Sequence, residues 1–275
     1  MLQSVMPNKH YGSHPIEPDE GQYDIRKGAA AYSSIAASIG SLAVTAIVVI
    51  FTVPSGVSEA SIALAAGLLA IAFLGSILGS FGFAAIGAEQ DPTANIGKAV
   101  LYASVAVSIA IVGTFGAFEV LASIYAPKSV WVFGTMTGLA GFFSILFTAA
   151  SIPDSVGLHP RTMDTKAYDA WRRRQWLQSR GHALKVMYIV VAACGVPVLV
   201  ATIVRISAGR VIALDATGVN WVVLLGAVFT LVGAVMSFVS HPETGNDQRS
   251  VVRADVWTPH VLISLFTCVL LLTLP

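Results

Sequence analysis

The chain has 275 residues, 55% of them hydrophobic and 11% charged, and a formal net charge of +1. Soluble domains usually carry about 25% charged residues, so composition excludes an ordinary water-soluble globule. The near-neutral balance, with no basic run covering a domain, excludes nucleic acid as a partner. Cys194 and Cys268 both sit in apolar stretches with no CxxC or Cys/His spacing, which predicts neither a zinc site nor a disulfide framework.

In chain order, residues 1–28 form a polar tail that mixes His, Pro and Gly with acids such as Glu17, Asp19, Glu20 and Asp24. The apolar run that follows is long enough to span, so it is expected to stay in the membrane and not to be cleaved as a signal peptide. Seven apolar runs then succeed one another at 29–53, 61–86, 99–126, 130–152, 186–204, 219–239 and 260–274. Most approach or exceed the ~20 residues that carry a helix across a ~30 Å hydrocarbon layer. The predicted fold is an all-α polytopic membrane bundle of about seven transmembrane helices. A four-helix half at 29–152 is separated from a three-helix half at 186–275 by the basic and aromatic loop 153–185. The last run is the weakest span: about 15 residues rise only ~22 Å.

Lys and Arg crowd into alternate loops. With the N-terminus inside, thirteen fall on the cytosolic side and three, Lys128, Arg205 and Arg210, on the other. The positive-inside tendency then predicts N-in, C-out insertion, in the plasma (inner) membrane.

Glycine marks the expected helix contacts, because association in lipid depends on close van der Waals approach. Gly75 and Gly79 form a GxxxG in the second run, and Gly134 and Gly138 another in the fourth. Pro197, in the fifth run, is expected to kink its helix, either as a hinge or as a static bend. Glu119 is the one ionisable residue read as lying clearly inside a run, in its outer third. It is a proton or cation ligand on one reading and a hydrogen-bonded structural carboxyl on the other. No embedded Lys or Arg is expected to pair with it, so the set of buried acids and bases typical of a proton pump is not expected either.

The loop segment Trp171, Arg172, Arg173, Arg174, Trp176 and Arg180 interleaves rings with cations. It suits contact with anionic membrane lipids or with a partner, as well as the plainer role of a topogenic loop. Asp91, Asp164 and Asp247, with His241, Asp255 and His260, lie in or at the edge of cytosolic loops, but no spacing among them fixes a metal geometry. The GK[ST] phosphate loop, HExxH and GxSxG are missing. Three function classes follow. The first is a non-catalytic subunit or scaffold of a membrane assembly, partnered by other membrane subunits or by itself. The second is a small-molecule or ion transporter or channel. The third is a membrane enzyme acting on a lipid or prenyl diphosphate at the cytosolic face.

Overall fold

The computed structural model describes residues 25–52, 59–89, 94–155, 177, 179–209, 211–212, 216–240 and 251–274, and these form helices and short connections with no strand. Seven long helices are present. They are α1 (Ile25–Phe51), α2 (Glu59–Ala88), α3 (Ala94–Tyr125), α4 (Val130–Asp154), α5, α6 (Ala216–Val239) and α7 (Arg253–Thr273). α5 runs from Arg180–Val190 through a π-helical turn, Val191–Gly195, into Val196–Ala208. All seven are long and apolar enough to cross a membrane, so the chain is a multi-pass membrane protein.

Successive helices run in alternate directions. At the face where α1 begins, here the N side, Arg26 donates to the Glu89 carbonyl after α2, and Ser237 near the end of α6 donates to the Ala99 carbonyl near the start of α3. At the opposite face, the C side, the N–H groups of Val211 and Ile212 after α5 reach the Leu272 carbonyl of α7 at 3.2 and 2.9 Å. Gly209 makes that exit possible: its φ of +69° lies in the left-handed region where a Cβ is penalised.

α3 is the central helix. In its most apolar stretch 72% of residues are buried, against 22% in α1, and it packs on α2, α4, α6 and α7. Two of its buried hydroxyls, Ser104 and Thr114, are satisfied within the helix, donating back to the Val100 and Ala110 carbonyls at 2.8 Å. It ends where Pro127 supplies no N–H, and a single 3-10 turn, Pro127–Ser129, folds the chain into α4 as a tight hairpin.

The helix ends differ from the apolar runs in an instructive way. α7 starts at Arg253, seven residues before the run at 260, and is 21 residues long, so the last span is not short. α5 continues past 204 to take in Arg205, and α3 starts before 99 to take in Lys98. The runs ending at 204 and starting at 99 stop beside a charge, whereas the helices continue through it because a neighbouring helix answers that charge.

Close approach of α2 to α3 centres on Gly75 and Gly79. A Cβ at Gly75 would stand 2.6 Å from the Ala106 backbone oxygen, and one at Gly79 would strike the Val107 side chain. Backbone cannot yield as a rotamer can, so Gly75→Ala should lower unfolding stability by about 1–3 kcal/mol. Gly181, at the start of α5, has open space around it and Gly181→Ala should cause no loss. Thermal unfolding of both variants in detergent checks the pair, and equal midpoints would contradict the contact.

Candidate functional site

The residues that carry chemistry lie inside the bundle. Glu119, six residues from the end of α3, is fully buried and its Oε1 accepts from Arg205 Nε at 2.7 Å. Its other oxygen accepts from Thr137 of α4 at 3.3 Å. Arg205 is itself buried, in the last turn of α5, where a cation also favours the helix dipole. The expectation of an unpaired Glu119 and of a loop-borne Arg205 is therefore corrected. The arginine is embedded, with Ile203, Val204 and Ile206 around it in sequence, and it is the carboxylate's partner.

The glycines of α4 make room for this pair. A Cβ at Gly134 would lie 3.0 Å from Glu119 Oε1 and 3.4 Å from Arg205 Cγ. At Gly138 it would collide with Thr202 of α5, and at Gly141 with Thr267 of α7. The row thus lets α4 approach α5 and α7 over two turns.

A second ion pair closes the N side. Lys98 Nζ of α3 stands 2.9 Å from Asp255 Oδ1 of α7, with both side chains at least nine-tenths buried. Tyr102 donates to the same oxygen at 3.3 Å, while Oδ2 accepts from the Val252 N–H at 3.0 Å and caps α7. Asp255 was expected to be a loop carboxylate and is instead the clamp between α7 and α3. One and a half turns along, His260 is fully buried in α7, with Nδ1 2.6 Å from the Val256 carbonyl oxygen. Its Nε2 and the buried Thr148 Oγ1 of α4 have no hydrogen-bond partner among the described residues.

Pro197 stands two residues after the π-helical turn of α5. The irregular backbone there is used: Ser264 of α7 donates to the Cys194 carbonyl at 2.8 Å. Laterally, a cavity of about 640 Å³ opens between α1, α2, α3 and α4, walled by Tyr32, Phe83 and Phe147 with Ser104, Ser108 and Ser144 among its lining. Tyr32 meets Phe147 edge-on at 4.9 Å.

Arg180 is the exposed first residue of α5, behind the Ser179 cap. Trp171, Arg172, Arg173, Arg174 and Trp176 lie outside the described residues, as do Asp91, Asp164, His241 and Asp247, on which the enzyme reading rested. No group of three or more His, Cys, Asp or Glu placed to hold a metal occurs among the described residues.

Fold and site together define a polytopic α-helical membrane protein with ion pairs buried at both ends of its bundle. Comparison of the chain with protein families, with curated proteins and with solved structures gave no match.

A buried pair broken on one side leaves an uncompensated charge in a medium that cannot solvate it. Arg205→Met should cost roughly 3–5 kcal/mol, and adding Glu119→Gln should recover much of that loss. Denaturant unfolding of the two single variants and the double variant checks this, and strictly additive losses would contradict the pairing.

Proposed function

We propose that the protein is a membrane transporter of protons or small cations, with the Glu119–Arg205 pair as its working group. The observation that supports this most is the company Glu119 keeps. Lys98, Glu119, Arg205, Asp255 and His260 are all buried within seven membrane-spanning helices. Ionisable groups are costly there, face the bundle interior in pairs, and mark ion pathways and proton relays.

The pair also has a physical means of coupling. When Glu119 takes up a proton or yields its oxygens to another cation, its attraction for Arg205 collapses. Arg205 belongs to the turn whose carbonyl accepts from Gly209, next to the segment tied to Leu272. Binding at Glu119 is thereby felt at the C-side ends of α5 and α7. The π-helical turn before Pro197 gives α5 a place to bend in response, as such turns do at functional sites. We place the N side in the cytosol of a plasma (inner) membrane. With the embedded Lys98 and Arg205 set aside, the basic residues still divide twelve against two.

Purified protein in liposomes, under an imposed potential, tests the reading with H⁺, Na⁺ and K⁺ as probes. Flux of at least one of them should exceed that of empty vesicles, and Glu119→Gln should reduce it by roughly tenfold or more. Wild-type vesicles that leak all three ions no faster than empty ones would overturn it.

A second reading, a subunit of a membrane assembly, is favoured by the lateral cavity and the sparsely covered α1, whose Ser34, Ser38, Ser41 and Thr45 face outward. In that case partner chains should copurify in mild detergent. A monodisperse lone chain would count against it.

A further inference from the structure

We infer that the transported ion is the proton, and that it crosses along a ladder of buried polar side chains on α7, α5 and α4 whose titratable rung is His260. This rests on the transporter reading above and assigns its substrate and route.

The first observation is the state of the imidazole. A carbonyl only accepts, so the 2.6 Å contact with Val256 O places the ring hydrogen on Nδ1. Nε2 then carries a lone pair in a fully buried position, with no donor from the described residues. Thr148 Oγ1 of α4 is likewise a buried hydroxyl, with no hydrogen-bond partner among the described residues. Gly141 of α4 lies against Thr267 of α7. Moving seven residues along each of these antiparallel helices, two turns at 3.6 residues per turn, returns to the same face and puts Thr148 level with His260. A hydroxyl able to donate and an imidazole nitrogen able to accept thus stand at one level of the α4–α7 contact, outside direct hydrogen-bond distance of each other, where water can join them.

The second observation is continuity. Along α7, Asp255, His260, Ser264 and Thr267 are all buried, and their steps rise ~7.5, ~6 and ~4.5 Å at 1.5 Å per residue. Across the α4 glycine row the ladder passes to Thr202 and then to Arg205, Thr137 and Glu119. Two O–H···O bonds of ~2.8 Å with one water between them span about 5.5 Å, so a single water serves the step from Ser264 to Thr267. The two longer steps, with a turn of about 140° around α7 between Asp255 and His260, take at least two waters each. The ladder begins at the Lys98–Asp255–Tyr102 cluster and ends at the Glu119–Arg205 pair. On the N side of His260, α7 carries Asp255, with Lys98 and Tyr102 held on it by α3, and Arg253, while α4 ends at Asp154 and α5 begins at Arg180. From α5, the Cys194 carbonyl meets Ser264.

The proton balance is simple. A proton delivered by water from the N side adds to the Nε2 lone pair and makes an imidazolium, with Nδ1–H still on Val256. Its loss to a hydroxyl-held water on the far side restores the neutral ring. The Glu119 carboxylate receives it, loosens its hold on Arg205, and passes it to water at the C side. No other bond is made or broken.

Liposomes holding an internal pH dye, with a potassium gradient and valinomycin to set the potential, read the flux. Wild-type protein should move protons well above empty vesicles, His260→Gln should cut that rate by roughly tenfold or more, and Thr148→Val should lower it. Ser38→Ala, on the outward face of α1, should leave it unchanged. If Na⁺ or K⁺ crosses and H⁺ does not, the proton assignment falls and the transporter reading stands. If protons cross at the wild-type rate in His260→Gln, the route falls. Movement of none of the three ions overturns both. Should the variants fail to fold, the unaltered chain in bilayers decides. The nitrogen-15 shift of His260 Nε2 should move as the bulk solvent is acidified and the lone pair takes up a proton, and a ring closed to solvent would overturn the route.

Discussion

A carboxylate buried in a membrane bundle is the constraint from which the arrangement of the other helices follows. Glu119 has no access to water, so its charge must be answered within the protein, and Arg205 answers it at 2.7 Å. That single bond fixes how far α5 extends, which face it turns to α3, and how near α4 comes. Removing charges from water costs several kcal/mol each, and only good geometry with further hydrogen bonds offsets that cost. Thr137 and the bare backbone at Gly134 supply the geometry.

The same logic applies at the other end of α3. Lys98 and Glu119 are 21 residues apart, a rise of ~31 Å, so the two ion pairs stand about one hydrocarbon thickness from each other. Both charges oppose the dipole of the helix that carries them, with a cation near its N-terminus and an anion near its C-terminus. Their partners must outweigh that penalty, so α3 depends on α7 at one end and on α5 at the other. Between these clamps the bundle packs through small residues, as lipid-embedded helices require. The irregular turn of α5 sits between them, where a change at one clamp has backbone able to yield.

Seven spans were legible in the sequence because lipid imposes length and apolarity on every crossing. The edges were not, and the errors have one cause. Arg205, Lys98 and Asp255 lie one to five residues outside the apolar runs, so each read as a loop charge, yet each is inside a helix. Burial of such a residue becomes visible only once its partner is known, and Glu119 is 86 positions from Arg205. A local signal existed, since apolar residues continue on both sides of Arg205. Glycine rows were equally legible as small surfaces, but not what lies against them. That Gly134 borders an ion pair and Gly141 a threonine follows from helix pairing, which no one-chain periodicity encodes.

The most direct measurement is the distance between Arg205 Nε and the Glu119 carboxyl carbon in lipid bilayers, obtained by solid-state NMR with labels at both sites. The account predicts one population in hydrogen-bond contact, as the 2.7 Å separation of nitrogen and oxygen requires. An Arg205 resonance with no coupling to Glu119 would contradict it.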